Sequence, residues 1–150
     1  MMDAHIREAT EQDLGVILAI YRDAGIETCG KPSLESARKA FQRMASYPDY
    51  KVYVAEMDGR VCGTYALLIM DNLANGGASS GVVEDVAVLR SFQGKGIGKA
   101  MMQAAIRACK DSGCYKMTLS SNATRSGAHK FYESLGFVLH GFSYRVDLPL

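Results

Sequence analysis

The sequence predicts a single α/β domain, residues 1–150, built around a mixed central sheet. Three observations carry that expectation. The chain has 150 residues, 48% hydrophobic and 22% charged, the balance of one ordinary globular core. Its apolar residues switch between alternate positions and a three-to-four spacing, the patterns of strands and helices; the resulting order is β-α-α-β-β-β-α-β-α-β, with one further strand possible at the end. The longest helix is apolar except for one stripe, Lys99, Gln103, Arg107 and Lys110, as expected of a helix lying deep against a sheet.

The elements follow in order. Residues 5–9 read as a short strand. Thr10, with Asp13 three residues later, resembles a capping box, and Leu14, Ile17, Leu18 and Tyr21 continue at helical spacing until Gly25. A loop through Cys29, Gly30, Lys31 and Pro32 leads to Ser33, a plausible cap for a second helix marked by Leu34, Ala37, Phe41 and Met44. Tyr47-Pro48-Asp49 stops it. Residues 52–55 form a strand, Asp58-Gly59 is a hairpin turn, and residues 61–69 return. Residues 75–81 form a small-residue loop without capacity to bury a core.

The next strand, residues 82–89, carries Glu84 and Asp85 inside an apolar run. Buried strands rarely hold adjacent carboxylates without reason. A glycine-rich turn at residues 93–98 then opens the long helix, which Gly113 ends. Tyr115, Met117 and Leu119 alternate with polar residues as a half-buried strand. Ala128, Phe131, Tyr132 and Leu135 mark a short helix closed by Gly136. Phe142, Tyr144, Val146 and Leu148 alternate with Ser143, Arg145 and Asp147, the most regular strand pattern in the chain.

Composition excludes several classes. The longest apolar run, residues 65–70, is far short of the ~20 residues of a membrane span. The first residues lack the basic and apolar regions of a secretory signal. Seventeen basic against sixteen acidic residues leave a net charge of +1, without the basic excess of a nucleic-acid partner. Cys29, Cys62, Cys109 and Cys114 contain no C-x-x-C pair, so they read as free thiols in a reducing cytoplasm. His5, His129 and His140 have no metal-ligand spacing; no metal is expected.

The turn at residues 93–98 is the strongest functional signal. Gly94, Gly96 and Gly98, placed between a strand and a helix, let backbone N–H groups converge on one anion. A P-loop would need Ser or Thr after Gly98-Lys99, where Ala100 stands, and a Rossmann fingerprint would follow the first strand. Residues 77–81 match G-x-S-x-G, but a hydrolase elbow needs a helix after it, and here a strand follows.

Val86-x-Val88 followed by Gln93-x-x-Gly96-x-Gly98 resembles motif A of the GNAT superfamily of acyl-CoA-dependent N-acetyltransferases. Phe131-Tyr132-Glu133-x-x-Gly136-Phe137 resembles its motif B, and the element order fits over nearly all the rest. Residues 81–88 and 113–116 look like glucosamine-6-phosphate N-acetyltransferases. Residues 121–129 are longer than that family's segment, lack its acidic residues, and look more like aminoalkylphosphonate N-acetyltransferases.

The resemblance implies a GNAT-like fold with a splayed pair of strands and a set of site residues. Acetyl-CoA would be the cofactor, its pyrophosphate held by backbone N–H groups of Gln93, Gly94, Lys95, Gly96, Ile97, Gly98 and Lys99, with the lysine charges nearby. Val86, Ala87 and Val88 would pair with the pantetheine arm, a backbone N–H there would serve the oxyanion, Asn122 would contact the coenzyme, and the small Ala128 would leave it room. An amine must be neutral to attack a thioester, so a carboxylate is expected to take its proton: Glu84 or Asp85, of which alternation should turn one toward the amine. Tyr132 would give a proton to the leaving thiolate. The acceptor region offers Glu27, Asp71, Arg125, Tyr144 and Arg145, the arginines suiting a phosphate or carboxylate. The expected partner is a small-molecule primary amine, with no nucleic acid or membrane; a protein amine, or a non-catalytic acyl-CoA-binding role, are the alternatives. The apolar face at residues 142–148 points to a homodimer.

Overall fold

The computed structural model describes residues 3–26 and 33–149. They divide into two units, one up to Leu119 and one from Ser120. In the first, β1 (His5–Glu8), α1 (Leu14–Ala24), α2 (Leu34–Met44), β2 (Tyr50–Met57), β3 (Arg60–Met70), β4 (Ser79–Val88), α3 (Ile97–Asp111) and β5 (Cys114–Leu119) follow in chain order. The sheet has five strands in the order β1-β2-β3-β4-β5. Its first four strands are antiparallel neighbours and β5 runs parallel to β4, which is the mixed α/β sheet expected from the element order.

Local chemistry sets the helix starts. The Asp13 carboxylate accepts the Thr10 backbone N–H at 2.7 Å and the Thr10 hydroxyl at 3.3 Å, satisfying a donor outside the helix. The same carboxylate receives both Arg7 terminal nitrogens, at 2.8 and 2.9 Å, while Arg7 Nε reaches Glu56 at 2.9 Å. One guanidinium therefore ties β1 to β2 and to the entrance of α1. Ser33 Oγ accepts the Ser36 N–H at 3.1 Å and starts α2.

On α3 the apolar side is fully buried at Met101, Met102 and Ala105, and the predicted polar row faces solvent at Lys99, Gln103, Arg107 and Lys110. The helix lies very close to β4. A Cβ placed on Gly81 would stand 2.4 Å from Cys109 Sγ, inside van der Waals contact. This corrects the reading of residues 75–81 as a loop. Only Asn75–Gly77 form a short 3-10 turn; β4 begins at Ser79, and Ser80 and Gly81 are buried. The small residues fill no core themselves but let the helix approach.

The second unit holds α4 (Ser126–Ser134). Its end carries paired bonds, Gly136 N–H to Glu133 O at 3.0 Å and Phe137 N–H to Tyr132 O at 3.1 Å, a Schellman closure. The strand expected over residues 142–148 is absent: the backbone there has no ladder partner among the described residues, and Phe142, Tyr144, Val146 and Leu148 are exposed. Alternation marks which side chains seek burial, whereas a strand also needs a neighbouring edge.

Cys62, Cys109 and Cys114 are free thiols. The expected loop through Cys29, and Glu27 within it, lie outside the described residues. Among those residues no helix is long and apolar enough to cross a membrane.

Candidate active site

β4 is where the sheet stops being regular. Its pairing with β3 runs from Ala66↔Glu84 to Thr64↔Ala87, so Asp85 and Val86 share one residue opposite, Tyr65. Asp85 takes φ 54°. An extra residue in the left-handed region is a β-bulge. It breaks the alternation that would turn Glu84 and Asp85 to opposite faces. Both carboxylates are exposed, while Val83 and Ala87 on either side are buried. Although their surfaces reach solvent, surrounding protein lifts both above ordinary carboxylate values, and the Asp85 charge lifts Glu84 further.

On its other side, β4 pairs with β5 only as far as Val83↔Leu119. Residues 84–88 continue without a strand partner there among the described residues. This is the splayed pair expected from the motif. It leaves a backbone edge without a strand partner beside the bulge, at Val86, Ala87 and Val88, where the Val88 carbonyl accepts the Gln93 side-chain amide.

The glycine turn follows. Gly94 and Gly96 hold φ of 77° and 83°, a region that strains any side chain. Space around both is open to 4 Å. The first helical bond is Ala100 N–H to Gly96 O at 3.0 Å. Among the described residues, the N–H groups of Gly94, Lys95, Gly96, Ile97, Gly98 and Lys99 therefore have no backbone acceptor, and they crowd the start of a fifteen-residue helix. Gln93 differs from expectation. Its own N–H bonds Arg90 O at 3.3 Å, and its side-chain amide donates to Val88 O at 3.3 Å; it braces the turn instead of offering a backbone donor. Arg90 N–H to Asp23 Oδ2 at 2.7 Å and Leu89 N–H to Cys62 O at 2.8 Å anchor the turn to α1 and β3. The Lys95 ammonium lies 5.0 Å from the Phe92 ring centre, and Lys99 is exposed.

Two residues that carried no role in the sequence reading feel the charge at the bulge. Burial raises the Tyr21 and Tyr50 phenols, and the Asp85 charge raises both further; Tyr50 also feels Glu84. A tyrosine from α1 and one from β2 thus stand near the β4 carboxylates. Helical spacing identifies Tyr21 only as inward-facing. Nothing local in the sequence pairs α1 with a bulge more than sixty residues later.

In the second unit, Asn122 Oδ1 accepts the Thr124 N–H and hydroxyl at 2.9 and 2.8 Å, which leaves its amide N–H groups unengaged among the described residues. His129 Nε2 lies 2.8 Å from Asn122 O, tying that loop to α4. Ala128 is half-buried. Tyr132 packs between Phe131 and Phe137, with ring centres 5.2 and 5.5 Å away. Its hydroxyl makes no hydrogen bond to the described residues; burial raises its pKa and the Arg125 charge opposes that rise. Of the acceptor candidates, Asp71 accepts the Ser79 hydroxyl at 3.1 Å, Arg145 pairs with Asp147 at 2.8 Å, and Tyr144 is exposed.

Free N–H groups in an open helix-entry turn, flanked by lysines and continued by an unpaired strand edge, fit a diphosphate with an extended amide arm, the chemistry of coenzyme A. Comparison with known proteins agrees. The family model for acetyltransferases (GNAT) matches residues 16–137. The chain belongs to the GNAT acetyltransferase family. A curated relative, glucosamine 6-phosphate N-acetyltransferase of Trypanosoma brucei brucei, is 33% identical over 150 residues, covering 99% of this chain and 98% of its own. Among solved structures, a putative acetyltransferase from Agrobacterium tumefaciens superposes with TM-score 0.88 at 27% identity, covering 96% of this chain and 99% of that one. Glucosamine-6-phosphate N-acetyltransferase from Arabidopsis thaliana superposes with TM-score 0.83 at 24% identity, covering 98% and 99%, a likeness of fold. This GNAT protein is an acyltransferase, with the bulged strand and glycine turn in the motif positions quoted above.

Proposed function

We propose that the chain, as one acetyltransferase domain of residues 1–150, transfers an acetyl group from acetyl-CoA to the primary amine of a small molecule. The observation that carries this reading is the β4 edge without a strand partner, running into the open turn of unbonded N–H groups. In this reading the turn N–H groups, with Lys95 and Lys99, hold the pyrophosphate. Val86, Ala87 and Val88 offer backbone to the pantetheine arm, and Asn122 and Ala128 supply an amide and room. When bound, acetyl-CoA supplies an acyl group activated as a thioester.

The protein's own residues handle the protons. Glu84 or Asp85 takes one from the incoming amine, directly or through water; a carboxylate with a raised pKa is the better matched base for that task. A backbone N–H on residues 86–88 faces the negative charge developing on the acyl oxygen. Tyr132, at the motif B position and with an unengaged hydroxyl, gives a proton to the leaving sulfur.

The relative from Trypanosoma supports a phosphorylated amino sugar as acceptor, and the segment at residues 121–129 supports an aminoalkylphosphonate. Both are amines bearing a phosphorus oxyanion. Arg125 is the cation proposed to receive it, since Arg145 is already paired with Asp147. We place the enzyme in the cytoplasm, consistent with its free thiols, as a homodimer joined through the exposed apolar tail. The test is coenzyme A release with a panel of glucosamine 6-phosphate, aminoalkylphosphonates, unphosphorylated amino sugars and lysine-bearing peptides. Turnover with the phosphorus-bearing amines alone is the expected result. Turnover with peptides alone would make it a protein acetyltransferase, and acetyl-CoA binding without turnover would make it a binding module.

A further inference from the structure

A groove of about 840 Å³ runs along the side of α3, lined wholly by the first unit. It lies away from the β4 carboxylates and is used by nothing above except at its mouth, where Lys95, Gly96 and Lys99 border the glycine turn. Its volume is within the ~300–1,000 Å³ of small-molecule sites.

Two rows of α3 build one wall. Gly96, Ala100 and Ala104 recur every four residues, a lane without bulk, and Lys99, Gln103 and Arg107 recur at the same spacing beside it. One turn apart on one helix face, they stand in register. Two tyrosines line the groove as well. Tyr53 and Tyr65 stack with ring centres 5.0 Å apart and planes 13° apart. Tyr65 is 1% exposed, yet its hydroxyl makes no hydrogen bond to the described residues, and it lines the groove. That hydroxyl is not sealed from solvent, so the groove leaves it open to a ligand as it does to water. Arg107 lies close enough for its charge to oppose the burial-driven rise of the Tyr65 phenol.

Charge completes the description. Lys95, Lys99 and Arg107 line the groove against a single carboxylate, Asp3, in a chain whose net charge is +1. Among the described residues, neither Lys99 nor Arg107 forms an ion pair. Cations without ion pairs among the described residues, a flat lane and a hydroxyl open to the groove fit an anion carrying a ring. We propose that this groove is a second ligand site, separate from the acetyl-donor site, for a small phosphorylated ring compound. Arg107 and the Tyr65 hydroxyl bind the phosphate, the ring lies along Ala100 and Ala104, and the Gln103 amide reads its polar edge.

Calorimetric titration of the protein saturated with coenzyme A tests this, with phenyl phosphate and inorganic phosphate as probes. Saturation keeps the donor site closed to both, so the result is independent of the proposed acetyl transfer. Phenyl phosphate is expected to bind one to one and at least about tenfold more tightly than inorganic phosphate. Arg107→Gln, at an exposed position, should weaken phenyl phosphate by about tenfold or more while acetyl-CoA affinity stays within about twofold. Ala104→Leu should block the ring and spare inorganic phosphate; Tyr65→Phe should weaken both. Binding that vanishes when coenzyme A is present, that ignores Arg107→Gln, or that gains nothing from the ring would overturn the proposal.

Discussion

At the scale of single residues, Asp13 shows what the neighbours of a carboxylate decide. Arg7 hydrogen bonds outweigh its burial and hold its pKa down to about 2. A carboxylate depressed in the folded state contributes stability above its unfolded pKa and loses it as pH falls toward the folded value. Denaturation followed from pH 5 to pH 2 should therefore show stability dropping below about pH 4, by an amount on the order of 1–2 kcal/mol, and Asp13→Asn should flatten that part of the curve. Glu84 and Asp85 are shifted the other way. As bases they work only when deprotonated, so activity should rise with pH through their raised values. Whichever of Glu84→Gln and Asp85→Asn removes the base should recover activity at high pH, where the free amine no longer needs it; a flat deficit in both variants would assign the proton to another group. Tyr132→Phe keeps the ring between Phe131 and Phe137 and removes only the hydroxyl. It should lower kcat by ~10²–10⁴-fold with acetyl-CoA affinity intact; a parent rate with a good amine would reduce Tyr132 to a packing residue.

Elements show which parts of the structure the sequence could announce. Helix starts at Thr10 and Ser33, the Asp58-Gly59 hairpin and the glycine turn rest on contacts within a few residues, so local pattern finds them. The bulge at Asp85 rests on register against β3, and the burial of Ser80 and Gly81 rests on where α3 lies. Neither is encoded nearby. The α3–β4 approach can be tested directly. Gly81→Ala would set a methyl 2.4 Å from Cys109 Sγ and should destabilise the fold by about 1–3 kcal/mol. Adding Cys109→Ala removes the opposing sulfur and should return part of that loss in a double-mutant cycle; additive losses would show that the two do not meet. At the turn, Gly96→Val meets open space but a forbidding φ of 83°. The strain should fall on the N–H groups of the turn, raising the acetyl-CoA dissociation constant by about tenfold or more while circular dichroism stays that of the parent.

For the whole molecule, the tail is where sequence pattern and structure diverge, and the divergence itself argues for a partner. Phe142, Tyr144, Val146 and Leu148 are 84%, 91%, 79% and 75% exposed, although their alternation with polar residues is the pattern of a half-buried strand. Burying one such side chain is worth about 1.5–3 kcal/mol, so leaving the whole set in water forgoes a contribution comparable to a domain's net stability. A single exposed apolar residue needs no explanation, but an aligned series does. A second copy of the chain offers the same series and a matching unpaired backbone, which is the self-complementary arrangement of a two-fold dimer. Sedimentation at micromolar concentration should find a species of twice the monomer mass. Val146→Asp places a charge in the middle of the series and should shift that species to monomer, with Asp13 and the first-unit core untouched. A parent protein that sediments only as monomer would leave the tail to a different partner, and a Val146→Asp variant that still dimerises would move the interface elsewhere on the chain.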